Sequence, residues 1–166
     1  MDLRFDGKTI IVTGGGSGIG AATCMELAAS GATVIVAGRT MQGVERVVKH
    51  IVDSGGQAHA VAVDVADAAS VEAMVRFAVE KTGSLYGLVN NAGIFDFKFL
   101  EDMDEEFMER MHRGNLLSAV FMTQAVIPAM KKGRFGRIMN ASSISSTLAD
   151  IGLVAYAASK AGIDML

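Results

Sequence analysis

The sequence contains little cysteine and little proline. Its single cysteine, Cys24, excludes an intrachain disulfide and a zinc cluster built from cysteines, and it suits a reducing compartment. With one proline and 19 glycines, turns are made by glycine and most of the chain is free to form regular structure. We expect a cytoplasmic protein. The carboxylates of residues 101–106 fit a solvated helix start, so no metal site is predicted.

Blocks of one charge and long apolar runs are also missing. Lys and Arg number 15 against 18 Asp and Glu, for a net charge of −3, and neither sign clusters, which indicates neither a nucleic-acid nor a membrane partner. No apolar run reaches the ~18 residues that a membrane span needs, and Met1–Arg4 does not lead into a signal peptide. The chain is 51% apolar over 166 residues, which favours one folded domain with a sizeable core.

Short apolar runs alternate with amphipathic segments along the whole chain. Val44, Val47, Val48 and Ile51 have helical spacing, and Asp67 is suited to cap the following helix. The predicted strands are 8–13, 33–37, 58–63, 85–89 and 136–141. The first predicted helix spans 18–30, the second contains Val44–Ile51 and is ended by the glycines at 55–56, and the third begins after Asp67. A fourth segment, 103–132, is predicted to be mostly helical but disturbed by Gly114 and Pro128. A last helix is predicted from residue 155 onward. Alternation of strands apolar on both faces with helices predicts an α/β fold with a parallel sheet.

A glycine-rich turn, Thr13–Gly20, joins the first strand to the first helix. Glycines there permit a tight turn and a close approach of backbone to a pyrophosphate, whose charge the helix N-terminus receives. By itself Gly16-x-Gly18-x-x-Ala21 is weak evidence, but its place between a strand and a helix strengthens it. The absence of Gly-Lys-Ser/Thr excludes a phosphate-binding P-loop. The turn therefore predicts a dinucleotide site.

The spacing T-G-x-x-x-G-I-G resembles that of the short-chain dehydrogenase/reductase family. Asn90-Asn91-Ala92-Gly93 is similar to the family's N-N-A-G, and Asn115, Ser143 and the pair Tyr156 and Lys160 resemble its catalytic set in the same order. The resemblance, nearest to 3-oxoacyl reductase members, implies a Rossmann-type doubly wound parallel sheet in three layers. It also implies one dinucleotide-binding domain over residues 1–166, incomplete at the C-terminus because the family's sixth and seventh strands would follow.

The family resemblance also assigns the catalytic roles. Tyr156 and Lys160 are four residues apart and share a helix face, and a nearby ammonium favours the phenolate that proton exchange requires. By the resemblance, Ser143 binds the substrate carbonyl, Tyr156 is the acid/base, Lys160 also holds the nicotinamide ribose, and Asn115 supports a proton-relaying water. The 13-residue spacing to Tyr156 selects Ser143 over Ser142, Ser145 and Ser146. The implied reaction moves a hydride between nicotinamide and a ketone or secondary alcohol.

The choice between the two nicotinamide cofactors depends on the end of the second strand. An NAD enzyme usually has a carboxylate there, but this chain has Gly38 followed by Arg39, whose guanidinium suits a 2′-phosphate. Stacking on adenine or a solvated turn are the other roles open to Arg39. We expect NADP(H) rather than NAD(H). The predicted cofactor-binding residues are Gly14, Gly16, Ser17, Gly18, Ile19, Arg39, Asp64, Val65, Asn91, Ala92, Gly93, Tyr156 and Lys160.

Two other functions remain open from the sequence. One is a truncated nucleotide-binding protein with impaired catalysis, and the other is an epimerase or dehydratase on the same fold. The expected partner is a small-molecule carbonyl or alcohol. The resemblance further implies a homodimer or homotetramer paired through the helices after the fourth and fifth strands, with Met122 and Ala125 facing the partner.

Overall fold

A computed structural model describes residues 4–148 and 150–166. It contains one parallel sheet in the order β3-β2-β1-β4-β5. The strands are β1 Thr9–Thr13, β2 Thr33–Gly38, β3 Gln57–Ala62, β4 Gly87–Asn90 and β5 Arg137–Asn140. This order places β1 at the centre, and the strand order reverses direction between β1 and β4. Such a reversal opens a crevice at the carboxyl ends of the strands, where α/β proteins bind ligands.

Within the described residues, six α-helices and three short helical turns lie between the strands or follow the last one. The helices are α1 Gly18–Ala29, α2 Met41–Asp53, α3 Ala68–Thr82, α4 Glu105–His112, α5 Ser118–Lys132 and α6 Val154–Asp164. A π turn, Arg113–Leu117, joins α4 to α5, and 3₁₀ turns span Leu100–Asp102 and Ile144–Ser146. The long helical segment predicted over 103–132 is therefore interrupted at Gly114, where the helical register changes.

Local signals placed most helix ends correctly. Asp67 caps α3, where its carboxylate accepts hydrogen bonds from the N–H groups of Ala69 and Ser70. Gly83 ends the same helix in the left-handed conformation, with φ +76°. On α2, Val44, Val47 and Ile51 are buried, as their spacing predicted. The strand limits differ from the prediction by one or two residues, which is the usual precision of such patterns.

Two apolar layers cover the two faces of the sheet. Alternate residues of β1 point to opposite layers: Ile11 packs with α3 and α5, whereas Ile10 and Val12 pack with α1 and α2. These three side chains are almost entirely buried. The sheet is thus enclosed by helices on both sides, which is the three-layer arrangement of a doubly wound α/β fold.

The two edge strands are less buried than the three central strands. Strand β3 is only partly buried, and all of β5 except Asn140 is exposed. Met139 of β5 is 54% exposed, so this edge strand presents apolar side chains to the surface. Within the described residues, the structure contains no helix with the length and apolarity that crossing a membrane requires.

Helix α5 faces the sheet differently from the expectation. Met122 is 1% exposed and lies in the core layer beneath α5, and Ala125 packs against that layer. The prediction that Met122 faces a partner subunit is therefore wrong, whereas that for the half-buried Ala125 stays a prediction. Helical periodicity was compatible with either orientation, and packing against the sheet decided it.

Candidate active site

The predicted site residues follow the carboxyl ends of the parallel strands. The glycine turn follows β1, Arg39 follows β2, Asp64 and Val65 follow β3, and the Asn91–Gly93 turn follows β4. Ser143 follows β5, and Tyr156 and Lys160 lie on the helix after it. Because the strands are parallel and adjacent, their carboxyl ends lie along the same side of the sheet. The topology therefore gathers these residues, which are up to 146 positions apart in the sequence.

The glycine turn offers an open cradle at the start of α1. Gly18 has φ +52° with open space where a Cβ atom would stand, and Ile19 beside it is 79% exposed. Ser17 precedes α1 without a side-chain cap, and the first turn of the helix contains no acidic residue. Unpaired N–H groups and the helix dipole at such an end suit an anion. The cradle therefore fits the pyrophosphate of a dinucleotide.

Thr13 ties the glycine turn to the turn after β4. Its hydroxyl accepts hydrogen bonds from the backbone N–H groups of Asn91, at 3.1 Å, and Ala92, at 3.0 Å. The Asn91 amide in turn donates to the Thr13 carbonyl at 3.0 Å. Asn91 and Ala92 thus hold the two turns together, whereas Gly93 is exposed at the crevice.

Close backbone packing explains two of the glycines in this turn. Gly14 adopts φ +66°, and a side chain there would come within 2.8 Å of the Asn91 amide nitrogen. A side chain at Gly20 would overlap the Gly14 carbonyl oxygen. These positions therefore require glycine for packing, apart from any ligand.

Lys160 is a buried cation beside Tyr156. It is 5% exposed, and its Nζ donates to the Ala141 carbonyl at 2.7 Å. The same Nζ lies 5.8 Å from the centre of the Tyr156 ring. Burial lowers the pKa of Lys160, and Asp164 offsets part of this effect. The predicted pair is thus brought together, with the ammonium on the protein side and the phenol half-buried at the crevice.

Asn115 is buried in the π turn and uses both ends of its amide. Its Oδ1 accepts from the Ile94 N–H at 2.8 Å, and its Nδ2 donates to the Ser159 hydroxyl at 2.9 Å. A Cβ atom added to Gly93 would lie 2.9 Å from this Oδ1 and 3.6 Å from Lys160 Nζ. Asn115 and Lys160 therefore lie close together behind Gly93, as the resemblance implied.

Ser143 caps the 3₁₀ turn that packs against α6. Its hydroxyl oxygen accepts from the Ser145 N–H at 3.2 Å, which leaves its hydrogen available to a carbonyl oxygen. The neighbouring Ser142 instead donates to the Lys160 carbonyl at 3.2 Å. Ser142 and Ser146, and to a smaller extent Lys160, lower the pKa of the exposed Asp164 carboxyl. The neighbours are thus engaged in structure.

The residues expected at the adenosine end have different environments. Arg39 is exposed, and no hydrogen bond of its side chain occurs among the described residues. Asp64 accepts from the Ala66 N–H at 2.9 Å, so part of its carboxylate shapes the turn after β3. Val65 packs its side chain against the core, which leaves its backbone for any ligand contact.

Sequence reasoning missed four residues at the site. Thr13 is the first residue of the T-G-x-x-x-G-I-G motif, which could have indicated its importance, but no role was predicted for it. Ser159, Phe95 and Arg46 carried no such signal. Ser159 links Asn115 to the Tyr156 carbonyl. Phe95 packs edge-on against Tyr156, with 5.1 Å between the centres of the two rings. Arg46 donates a hydrogen bond to the glycine turn.

The fold and this site define a Rossmann-type protein with a crevice suited to a dinucleotide. A family model for short-chain dehydrogenases matches residues 8–166, and the chain belongs to that family.

Relatives of known name agree with this assignment. The 3-oxoacyl-(acyl-carrier-protein) reductase of Thermotoga maritima is 37% identical over 161 residues, covering 97% of this chain and 65% of its own length. The 7α-hydroxysteroid dehydrogenase of Escherichia coli is 35% identical over 165 residues, covering 99% of this chain and 64% of its own length. The chain thus spans about 65% of the length of these relatives.

A solved structure shares the architecture closely. A 7α-hydroxysteroid dehydrogenase complexed with NADH and 7-oxo glycochenodeoxycholic acid superimposes with a TM-score of 0.95 at 35% sequence identity. The match covers 99% of this chain and 64% of that one. The Rossmann-type sheet predicted from the sequence is therefore confirmed.

Proposed function

We propose that the protein is an NADP(H)-dependent oxidoreductase that interconverts a ketone and a secondary alcohol, with Tyr156 as acid/base. We further propose that residues 1–166 form one dinucleotide-binding domain. The observation that carries the proposal is the buried Lys160 beside the half-buried Tyr156, at the edge of the sheet where the glycine turn opens. A cation kept beside a phenol and away from water is the arrangement that proton transfer through a tyrosine requires.

The nicotinamide cofactor supplies or accepts the hydride when it is bound. In the reducing direction, Tyr156 donates its hydroxyl proton to the substrate oxygen, and the hydroxyl of Ser143 donates a hydrogen bond to the same oxygen. The Lys160 ammonium stabilises the phenolate that is left. In the oxidising direction the phenolate accepts the proton instead. The free donor of Ser143 and the proximity of Lys160 to Tyr156 support this division of roles.

Asn115 positions this machinery. Its amide connects the turn after β4 with α6 through Ile94 and Ser159, so it holds Lys160 and Gly93 at a set separation. The proximity of Asn115 Oδ1 to Lys160 Nζ also leaves a place for the proton-relaying water implied by the family resemblance. The relay itself is part of the proposal.

The preference for NADP(H) rests on Gly38 and Arg39. A related structure holds NADH, so family membership alone leaves both cofactors open. Here the end of β2 carries no carboxylate to receive a ribose 2′-hydroxyl, and the exposed Arg39 guanidinium is free to pair with a 2′-phosphate. Arg39→Ala is expected to weaken NADPH binding by about 1.5–3 kcal/mol and NADH binding far less. A wild-type protein that prefers NADH would overturn the assignment.

The rim of the crevice supports an apolar substrate body. Phe95, Ile144 and Leu148 are 64%, 72% and 63% exposed, on the turns that follow β4 and β5. The Lys98 N–H donates to the Gly152 carbonyl, which joins these two turns beside Tyr156. Exposed apolar side chains around a polar centre are typical of a pocket that orients an apolar molecule by one polar group. We propose a ketone attached to an aliphatic or ring-containing body.

The test is NADPH consumption by the purified protein with a panel of ketones that pairs polar with apolar bodies. Tyr156→Phe is expected to reduce turnover at least about 100-fold. Tyr86→Phe is the matched control, because Tyr86 stacks on Phe135 at the opposite end of the sheet, and its turnover is expected to stay near wild type. Turnover that survives Tyr156→Phe would contradict the mechanism. Nucleotide binding without any turnover would favour the impaired nucleotide-binding protein.

Assembly and location are part of the proposal as well. We propose a homodimer or homotetramer, in which the outer face of α5 around Phe121 and Pro128, rather than Met122, meets the partner. Sedimentation equilibrium tests this, and a monomer at all concentrations would contradict it. The single cysteine favours a reducing compartment, so we propose a cytoplasmic location, which cell fractionation tests.

A further inference from the structure

An arginine from α2 contacts the glycine turn. The Nη2 of Arg46 donates to the carbonyl oxygen of Gly16 at 3.3 Å, across 30 positions of sequence. The first turn of α2 makes this contact possible because it packs closely on the glycine turn. A Cβ atom added to Gly16 would come within 3.2 Å of the Gly43 backbone. Arg46 is therefore held beside the turn that receives the cofactor.

The end of β2 approaches the same glycine. A Cβ atom added to Gly38 would lie 3.7 Å from the Gly16 nitrogen, and Arg39 is the next residue. Arg39 and Arg46 thus approach the glycine turn from two elements, the end of β2 and the helix after it. Both are exposed residues.

The charge around these two arginines is not neutralised. The first turn of α2 has no acidic residue, and the nearest carboxylate in the helix, Glu45, makes no ion pair with Arg46. None of the ion pairs found in residues 4–148 and 150–166 involves Arg39 or Arg46. A guanidinium has five N–H donors, and the Gly16 contact uses Nη2 of Arg46 alone. Donors on both arginines therefore remain for an anion.

We propose that Arg46 is a second specificity-determining residue, which binds the 2′-phosphate of the adenosine ribose together with Arg39. The inference rests on the proposed NADP(H) preference. A phosphomonoester carries between one and two negative charges near neutral pH, so two guanidinium groups match it better than one. The contact with Gly16 holds Arg46 in position before the cofactor binds, which reduces the side-chain entropy lost on binding.

A purely structural role for Arg46 gives a different result. If Arg46 only holds the glycine turn in shape, its removal weakens every adenine nucleotide equally. If it binds the 2′-phosphate, the loss is confined to ligands that carry that group. Adenosine 2′,5′-bisphosphate and AMP differ only in the 2′-phosphate, so this pair of probes separates the two roles without any need for turnover.

The experiment is calorimetric titration of both probes into the purified wild type, Arg39→Ala, Arg46→Ala and Arg46→Gln. Arg46→Gln keeps most of the side-chain stem and so tests the charge separately from packing. The matched control is Arg76→Ala, an exposed arginine of α3 on the opposite face of the sheet. Thermal unfolding of each variant is recorded to verify that it is folded.

We expect the wild type to bind the bisphosphate more tightly than AMP. Both Arg46 variants should weaken bisphosphate binding about tenfold and change AMP binding less than about twofold. A loss that is equal for both probes, or no loss, overturns the role of Arg46 while Arg39→Ala still supports the cofactor preference. A wild type that binds both probes equally overturns the preference and this inference together.

Discussion

The amide of Asn115 donates a hydrogen bond to the hydroxyl of Ser159 at 2.9 Å, and that hydroxyl donates to the Tyr156 carbonyl at 2.7 Å. Asn115 and Ser159 are each 1% exposed. The pair therefore joins the π turn to the helix that carries Tyr156 and Lys160. A buried polar chain of this kind is costly to interrupt, because water cannot replace the missing partner.

Asn115→Ala is expected to lower the free energy of unfolding by about 1–3 kcal/mol, because the N–H of Ile94 loses its acceptor in the interior. Urea denaturation measures the loss. Ser159→Ala should cost less, and the double variant should cost less than the sum, since the two side chains share a bond. The control is Ser84→Ala, an exposed serine, with an effect within about 0.5 kcal/mol. Strictly additive losses would show that the pair is not coupled.

Gly20→Ala is expected to destabilise the protein, although alanine usually stabilises helices. The added methyl group would overlap the Gly14 carbonyl oxygen and lie 2.6 Å from the Asn91 amide nitrogen, so the glycine turn must shift. We expect a loss of about 1–3 kcal/mol in the free energy of unfolding, together with weaker nucleotide binding. At Gly133, which has φ −76° and room for a methyl group, alanine should be neutral or stabilising. Equal effects at the two glycines would contradict the close packing.

Lys160→Met tests the effect of burying a cation. Burial lowers the folded-state pKa of Lys160 below its ordinary value of 10.5, so folding releases a proton between these two values. The group's contribution to stability is present above pH 10.5 and is lost as the pH falls through the folded-state pKa. The free energy of unfolding of the wild type minus that of Lys160→Met should therefore increase as the pH rises towards 10.5.

Chemical denaturation at a series of pH values measures this difference for Lys160. Lys131→Met, in the last turn of α5, is the control for removing one lysine charge from an exposed position. A difference that falls with rising pH would show that Lys160 is stabilised as a cation by its partners rather than destabilised by burial.

Cys24 is expected to resist alkylation in the folded protein. It is fully buried between β1 and α1, and burial raises the pKa of its thiol to about 12. The thiolate is the reactive form, so iodoacetamide at about pH 8 should modify Cys24 only after unfolding. Mass spectrometry with and without urea measures the labelling. Ser54→Cys, at the exposed end of α2, should be labelled at once in the folded state. Rapid labelling of Cys24 without urea would contradict its burial.

Elements whose signal is local were predictable from the sequence. The cap at Asp67, the left-handed glycine at Gly83 and the buried stripe of α2 depend on residues within one or two helical turns of each other. The glycine turn and the Tyr156 and Lys160 pair were recognisable because their spacing within a short segment carries the chemistry. Local patterns of this kind are visible in one chain.

Contacts between distant segments were decided by the tertiary structure alone. The sequence could not order the strands as β3-β2-β1-β4-β5, nor show that β3 is an edge strand and hence only partly buried. Met122 was assigned to a partner surface because an apolar residue on a helix suits either an internal or an external contact. Arg46 and Gly16, like Asn115 and Ser159, are 30 and 44 positions apart, and no local pattern pairs them. Such pairs form only when packing around the sheet brings separate elements together. The sequence therefore identified the candidate catalytic and cofactor-binding residues, but their hydrogen-bond partners were decided by the tertiary structure.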